Sequence, residues 1–182
     1  MSLIRIEHLY FTYDGGSEPV FEDLDLQLDT DWKLGLVGRN GRGKTTLLEA
    51  LLEDRPVPGL RSGVERGSDG LPTLVWLEKR GGGERCVIAR RTQAAMEPVP
   101  GVLDTVGTQL ARQVLAAPGE WAAVDEIGFL EQSSPAYQQA LWNLFEHKRV
   151  LAALRKEDLP FLNRLRERAD CLVLDLDEVR EP

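Results

Sequence analysis

The first part of the chain alternates apolar and polar positions, a pattern that is typical of half-buried β-strands. The alternation covers residues 2–13 and returns from Val20 to Leu28. Turn-forming residues separate the two runs over 14–19, so we predict an antiparallel pair of strands. A short apolar strand over 34–37 and a helix with an apolar face over 45–52 follow this pair.

Farther along, strand patterns alternate with helical patterns after a loop rich in Pro, Gly, Arg and Ser over 54–72. Such alternation predicts an α/β fold whose sheet is mainly parallel, flanked by helices and joined by right-handed crossovers. The elements predicted there are a short strand over 59–64, a hairpin over 73–91, a loop over 92–101, a helix over 102–115, a strand over 121–126, a helix capped by Ser134, a strand over 149–154, a helix capped by Asp158 and a strand over 171–176.

The N-terminal strand pair and the hairpin over 73–91 add an antiparallel β portion to this mainly parallel sheet. The chain has 182 residues, a length that suits one domain. We therefore expect a single domain over 1–182, with a β extension over 1–32 and a body over 33–182.

One stretch between the strand over 34–37 and the helix over 45–52 has the spacing G-x-x-x-x-G-K-[ST] of a phosphate-binding loop, which predicts the P-loop NTPase fold class. Its backbone N–H groups and the helix N-terminus can surround a phosphate. We expect Lys44 to reach the β- and γ-phosphates and the Thr45 hydroxyl to bind Mg²⁺. The full spacing and its flanks favour this interpretation over a plain glycine turn. The residues predicted to bind the nucleotide are Gly38, Arg39, Asn40, Gly41, Arg42, Gly43, Lys44, Thr45 and Thr46.

A second candidate for chemistry is the acidic pair Asp125-Glu126, which ends the apolar strand predicted over 121–126. Open α/β sheets bind ligands at the carboxyl ends of their strands. An aspartate there can help Thr45 to hold Mg²⁺, and a glutamate beside it can polarise the attacking water. The alternative is a strand that ends in two solvated acids, which the complete phosphate loop upstream makes less favoured.

Composition narrows the setting in which this chemistry takes place. The net charge of −8 argues against a general nucleic-acid binder, which usually has a basic face. The two cysteines have no metal-ligand spacing, and the N-terminus does not have the pattern of a secretory signal. No apolar run approaches the roughly 18 residues of a membrane span. We therefore expect a cytoplasmic protein with neither a membrane nor a nucleic acid as its partner.

Residues 1–52 resemble the start of an ABC-type ATPase, especially of the soluble paired-cassette (ABC-F) kind. The likeness is carried by the runs 4–9, 11–13, 21–28 and 32–41. The resemblance implies that Tyr13 stacks on the adenine ring, while a half-buried strand tyrosine is an equally open interpretation. Beyond this part, the sequence has no Ser-Gly-Gly signature segment and no histidine in or just after the strand that follows the acidic one.

Residues 33–178 resemble the small P-loop nucleoside-triphosphatase family, which includes the thermostable NTPases and the cancer-related nucleoside-triphosphatase. The likeness is carried by 125–131, 134–137, 150–156 and 159–162. It implies Mg²⁺-dependent hydrolysis of the terminal phosphate of ATP, GTP and other nucleotides, with the acids of the site at Asp125 and Glu126. Many members have His-Arg after the following strand, where this chain has Leu154-Arg155-Lys156, so Arg155 is either a γ-phosphate cation or a solvated loop residue.

The leading hypothesis is a Mg²⁺-dependent nucleoside triphosphatase that acts on ATP or GTP. Lys44 and Glu126 are its predicted catalytic residues, and Thr45 and Asp125 are its predicted metal ligands. Two alternatives stay open, namely an ABC-like ATP-binding regulatory module with little turnover and a kinase that phosphorylates a nucleotide or small molecule. A regulatory module would act through a protein partner. The sequence indicates no base preference.

Overall fold

The structure is a computed structural model of the 182-residue chain, and it describes residues 3–12, 19–29, 33–52, 55–83 and 85–178. The predicted adenine platform Tyr13 lies outside the described residues.

The elements follow the predicted order, with one short strand and one 3₁₀ turn added, and the helix predicted over 102–115 begins with a π-helical turn. They are β1 (Leu3–Phe11), β2 (Phe21–Asp29), β3 (Lys33–Gly38), α1 (Lys44–Leu52), β4 (Gly59–Arg66), β5 (Pro72–Lys79), β6 (Cys86–Arg91), β7 (Met96–Pro98), a π-helical turn (Leu103–Gly107) that continues into α2 (Thr108–Ala116), β8 (Trp121–Ile127), a 3₁₀ turn (Leu130–Ser133), α3 (Pro135–His147), β9 (Arg149–Arg155), α4 (Pro160–Arg166) and β10 (Cys171–Asp175).

Eight of the strands form one sheet in the order β10-β3-β9-β8-β4-β5-β6-β7. The strands from β10 to β4 run parallel, and the strands from β4 to β7 form an antiparallel ribbon. Strands β1 and β2 pair antiparallel in a separate two-stranded sheet. The predicted fold class, a mainly parallel P-loop NTPase sheet with an added antiparallel portion, is therefore confirmed.

Apolar side chains pack on both faces of the large sheet, as buried parallel strands require. Helices α2, α3 and α4 cover one face, while α1 and the β1–β2 sheet cover the other. Strand β8 shows this division directly. Ala122 and Val124 belong to the core under α2, α3 and α4, and Ala123 belongs to the core under α1 and the β1–β2 sheet. The carboxyl ends of β3, β9 and β8 consequently meet at one edge of a firmly packed sheet.

The loop predicted over 92–101 is wrong in part, because it contains strand β7. The Thr92 side chain accepts the backbone N–H groups of Ala94 and Ala95 and reverses the chain. Residues 96–98 then pair with β6 as an edge strand. Three residues are too short a run for alternation to be recognised in the sequence.

Both predicted helix caps are also wrong in their chemistry. Helix α3 begins at Pro135 as predicted, but the Ser134 side chain makes no capping hydrogen bond. The free N–H groups of Ala136 and Tyr137 instead donate to Asp104 Oδ1, at 2.9 and 3.3 Å. Helix α4 begins at Pro160 without a side-chain cap, and the Asp158 carboxylate accepts a hydrogen bond from the Asn163 side chain instead.

Candidate nucleotide-binding site

The phosphate loop leaves β3 at the carboxyl edge of the sheet, where open α/β sheets bind their ligands. Gly41 and Gly43 both have φ near +80°, a left-handed conformation that lets successive N–H groups face inward. At Gly43 a side chain is excluded for a second reason. A Cβ atom there would lie 2.4 Å from Val20 Cγ1 and 2.8 Å from Phe21 Cζ, so the loop rests directly on the start of β2.

Lys44 begins helix α1 and is 4% exposed, which is rare for a lysine. Its Nζ donates to the carbonyl oxygens of Gly38 at 2.8 Å and Arg39 at 3.1 Å. It also lies 3.4 Å from Glu126 Oε2. The buried cation therefore stands between the loop backbone and the acidic end of β8.

Thr45 and Asp125, which were predicted to share a metal ion, are in direct contact. Thr45 Oγ1 donates to Asp125 Oδ1 at 3.0 Å. Burial raises the pKa of the Asp125 carboxyl to about 6, against the lowering effect of the Thr45 hydrogen bond. A divalent cation would compensate this desolvated carboxylate, and both ligands are the hard oxygens that Mg²⁺ prefers.

The described residues contain no group of three or more His, Cys, Asp or Glu side chains that could hold a metal ion by themselves. Mg²⁺ in phosphate-transfer sites commonly takes one or two protein oxygens and completes its shell with phosphate and water. The pair Thr45 and Asp125 fits that kind of site rather than a protein cage.

Each carboxylate oxygen of Glu126 lies close to a cationic side chain. Arg155 Nε donates to its Oε1 at 2.6 Å, while Lys44 approaches its Oε2. The backbone N–H of Glu126 donates to Ser62 Oγ at 3.2 Å, which ties the acid to β4. The Arg155 side chain passes so close to Gly128 that a Cβ there would lie 2.8 Å from Arg155 Cδ. Arg155 is thus part of the site and not a solvated loop residue.

Glu131 is a further acid of the site that the sequence reasoning missed. It is 5% exposed, and its Oε2 accepts the N–H of Gly128 at 2.7 Å. Burial raises the pKa of the Glu131 carboxyl to about 7. A glutamate directly after the mainly apolar run Ile127–Leu130 was the available signal. Ser62 was also missed, and a serine in a loop-like stretch offered no signal at all.

Two of the predicted nucleotide contacts turn toward the end of β10. Arg42 Nε lies 2.9 Å and Arg39 Nε 3.4 Å from Asp177 Oδ1. The loop residues that line the cavity beside the acidic pair are Asn40, Gly41, Gly43, Lys44 and Thr45.

This cavity has a volume of about 550 Å³ and two unlike ends. The first end contains the phosphate loop, and Asp125, Glu126 and Arg155 lie on its walls. The second end runs along the antiparallel ribbon and is lined mainly by apolar side chains from β4 to β7 and from the segment after β8. The arrangement can hold a triphosphate at the first end and neutralise it with the buried Lys44 and the half-buried Arg155.

Solved structures support this fold at low sequence identity. THEP1 from the hyperthermophile Aquifex aeolicus superposes with a TM-score of 0.61 and 18% identity, over 81% of this chain and 92% of that one. A human cancer-related nucleoside triphosphatase superposes with a TM-score of 0.59 and 19% identity, over 81% of this chain and 95% of that one.

The N-terminal part is similar to ABC ATPases over a short stretch. The ATP-dependent lipid A-core flippase of Nitrosococcus oceani is 44% identical over 48 residues, 26% of this chain and 8% of that protein. The hemin import ATP-binding protein HmuV of Pseudomonas aeruginosa is 42% identical over 71 residues, 38% of this chain and 27% of that protein. The chain thus matches only a small share of these relatives' own lengths.

No helix among the described residues has the length and apolar character needed to span a bilayer. The family model for ABC transporters matches residues 21–61, which contain the phosphate loop. The family model described as NTPase matches residues 82–181, more than half of the chain, and this range contains Asp125, Glu126 and Arg155. Both resemblances seen in the sequence are confirmed. The chain belongs to the NTPase family, as a nucleotide-binding P-loop NTPase with ABC-like ATPase features in its N-terminal part.

Proposed function

We propose that the protein is a Mg²⁺-dependent nucleoside triphosphatase that hydrolyses the terminal phosphate of ATP or GTP. One observation carries this proposal: Thr45 lies 3.0 Å from Asp125, and Lys44 lies 3.4 Å from Glu126. Phosphoryl transfer depends mainly on positioning and charge stabilisation, and these two contacts bring phosphate-binding and acidic groups together.

The phosphate loop would bind the triphosphate through its backbone. The N–H groups around Gly38, Asn40, Gly41 and Gly43 would surround the α- and β-phosphates. Lys44 would then neutralise the β- and γ-phosphates. Tyr13 as a platform for the base stays a prediction, as does the division into a β extension and a body within one domain.

Thr45 and Asp125 would hold the Mg²⁺ ion. When bound, the ion would supply positive charge that offsets the charge of the phosphate oxygens. Asp125 must be ionised to act as a ligand, so we expect metal binding to strengthen as the pH rises through about 6, the raised pKa of its carboxyl.

Glu126 would orient the attacking water and accept its proton. Its present partners, Arg155 and Lys44, are the two cations that a γ-phosphate would attract most strongly, because both lie on the wall of the phosphate end. Transfer of these cations from the carboxylate to the phosphate would leave Glu126 free for the water. Arg155 is therefore proposed as the cation that stabilises the γ-phosphate charge.

Phosphate release from ATP and GTP, measured with and without Mg²⁺, tests this function. We expect Lys44→Ala to lose both nucleotide binding and turnover. Glu126→Gln should still bind ATP but should lose on the order of 10²–10⁴-fold in turnover, the range for a general base. Glu167→Gln, at an exposed position, is the matched control. Turnover that survives both site substitutions would refute the proposal.

A second candidate function is an ATP-binding regulatory module with little turnover. The ABC-like match over 21–61 supports this candidate, since the sequence has no signature segment with which to complete a two-cassette site. Such a module would bind a protein partner in its ATP-bound form. Tight ATP binding without phosphate release would favour this candidate over hydrolysis.

A further inference from the structure

The apolar end of the cavity beside the acidic pair lies outside the groups that are proposed to bind the triphosphate. We call this end the γ-side chamber. It is defined by Gly63, Val64, Val75, Ile88, Met96 and Phe129. These residues come from five different parts of the chain, the four strands β4, β5, β6 and β7 and the segment after β8. The chamber is therefore a product of the antiparallel ribbon that folds over the acidic strand end.

The position of the chamber relative to the triphosphate follows from Lys44 and Glu126. A phosphate loop cradles the α- and β-phosphates in its backbone, and its lysine reaches the β- and γ-phosphates. Lys44 Nζ lies 3.4 Å from Glu126 Oε2, so the γ-phosphate is the one that faces Glu126. The nucleoside is attached to the α-phosphate and therefore lies on the side of the triphosphate that is farther from Glu126.

Strand β4 begins the chamber immediately beyond Glu126. The backbone N–H of Glu126 donates to Ser62 Oγ, and the next residues along β4, Gly63 and Val64, line the chamber wall. A group bound in the chamber would thus approach the γ-phosphorus from the side opposite the leaving nucleoside diphosphate. That is the side from which an in-line nucleophile attacks.

The lining of the chamber suits an organic molecule better than water alone. Small-molecule sites usually occupy about 300–1,000 Å³ and combine apolar walls with a few polar groups. The whole cavity, with its phosphate end included, has a volume of about 550 Å³, so the chamber offers the part of this volume that a bound triphosphate leaves free. Arg66 and Arg155 are the cations on its walls outside the phosphate loop, and either can meet an anionic group.

We propose that the γ-side chamber binds a second substrate, a ring compound about the size of a nucleoside that carries a hydroxyl or a phosphate group. This inference rests on the proposed function, because it uses the same bound nucleoside triphosphate and the same Glu126. The second substrate takes the place of water as the acceptor of the γ-phosphoryl group. The protein then acts as a phosphotransferase whenever the acceptor molecule occupies the chamber.

The transfer step balances without any further reactant. An oxygen of the acceptor forms a bond to the γ-phosphorus, and the bond from that phosphorus to the β,γ-bridging oxygen breaks. The nucleoside diphosphate leaves with the electron pair of that bond. If the acceptor group is a hydroxyl, its proton passes to the Glu126 carboxylate and from there to water.

The test uses the full chain with ATP labelled at its γ-phosphate and Mg²⁺. The acceptor probes are the four common ribonucleosides in one arm and their 5′-monophosphates in the other, which separates hydroxyl from phosphate acceptors. Label in inorganic phosphate and label in organic product are counted in the same sample. We expect at least one arm to yield labelled organic product, at the expense of inorganic phosphate.

A large side chain that blocks the chamber should abolish phosphoryl transfer to the acceptor but not hydrolysis. Val64→Trp places a large ring in the chamber from β4, and Met96→Trp does so from β7. We expect either change to reduce organic product by more than about tenfold, because a filled pocket excludes the acceptor ring. ATP binding and release of inorganic phosphate should persist. Val106→Trp is the matched control, since Val106 is 40% exposed and Val64 is 46% exposed.

The base of the nucleotide itself is the competing occupant of the chamber. Inorganic tripolyphosphate has no base, so comparing its binding with that of ATP tests this alternative. If Val64→Trp weakens ATP binding but not tripolyphosphate binding, the base lies in the chamber and the inference is wrong. Lys44-dependent phosphate release without organic product from any probe also refutes the inference while the proposed hydrolysis stands. The absence of both products refutes the proposed function as well.

Discussion

The phosphate loop over 38–46 is built mainly from backbone, whereas the acidic end of β8 is built from side chains that other elements hold in place, with Asp125 buried and Glu126 half-buried. In the loop, left-handed glycines and one buried lysine form the site. At the acidic end, Asp125 receives a hydrogen bond from Thr45, and Glu126 is held by Ser62 and Arg155. The first region depends on local conformation and the second on contacts between distant parts of the chain.

This difference predicts how each region responds to change. A loop made of backbone groups fails when a side chain is added, because the added atoms alter φ or meet a neighbour. A site made of buried charged side chains fails when one partner is removed, because the remaining charge is left uncompensated in a poorly solvated place. Substitutions in the two regions therefore test opposite kinds of sensitivity.

After the substitutions of Lys44 and Glu126 described above, the largest expected effect is on turnover after Arg155→Ala at the acidic end. Loss of this cation should lower kcat by roughly 10²–10³-fold, the usual range for one group that stabilises transition-state charge. ATP affinity should change far less, since Lys44 and the loop backbone stay intact. Single-turnover assays and equilibrium binding separate the two quantities. Arg90→Ala, at an exposed position of β6, is the control, and wild-type kcat in Arg155→Ala would contradict the assignment.

Gly43→Ala tests the loop, and Gly41→Ala is its matched control. Both positions have φ near +80°, so both pay a backbone cost of roughly 1–2 kcal/mol. A Cβ at residue 41 meets nothing within 4 Å, whereas one at residue 43 would lie 2.4 Å from Val20 Cγ1. We expect Gly43→Ala to lower the free energy of unfolding by about 1–3 kcal/mol more than Gly41→Ala does, because the added methyl group overpacks its surroundings. Equal denaturation midpoints would show that the loop does not rest on β2.

Glu131→Gln tests the cost of a buried acid through its pH dependence. Below pH 4.5, the ordinary pKa of glutamate, the carboxyl is protonated in both states and carries no penalty. As the pH rises toward about 7, the raised pKa in the fold, the unfolded chain loses its proton first and wild-type stability falls. Glutamine keeps an oxygen for Gly128 but does not ionise.

The stability of Glu131→Gln relative to the wild type should therefore increase between pH 5 and pH 8, by up to about 3 kcal/mol. Urea unfolding at the two pH values measures this change. Glu167→Gln, which replaces an exposed acid, should show a difference that is nearly independent of pH. A constant offset for Glu131→Gln would mean that its carboxyl does not have a raised pKa.

The smallest effect concerns the start of α3. Asp104→Ala should cost about 1 kcal/mol in the free energy of unfolding, because it removes the acceptor of the Ala136 and Tyr137 N–H groups. Ser134→Ala should cost less, since the Ser134 side chain makes no capping hydrogen bond. If Ser134→Ala costs more stability than Asp104→Ala in thermal or urea unfolding, Ser134 is the cap, as the sequence predicts.

The sequence was sufficient for the features that depend on neighbouring residues. Alternation predicted the β1–β2 pair and the β5–β6 hairpin, and the spacing around Lys44 predicted the phosphate loop between β3 and α1. The acidic pair at residues 125 and 126 was recognisable because it ends an apolar strand. In contrast, the caps predicted at Ser134 and Asp158 were wrong. At the start of α3 the N–H group of Ala136 donates to Asp104, 32 residues earlier in the chain, and the Asp158 carboxylate accepts a hydrogen bond from Asn163.

By itself, then, the sequence determined the α/β class, the order of the elements and the place of the phosphate loop between β3 and α1, because periodicity and turn chemistry act over a few residues. The tertiary structure decided which side chains meet. Thr45 and Asp125 are 80 residues apart, and Ser62 and Glu126 are 64 residues apart. Their contact depends on strand order and register in the sheet, which short-range patterns do not encode. The same register creates the γ-side chamber and the burial of Glu131.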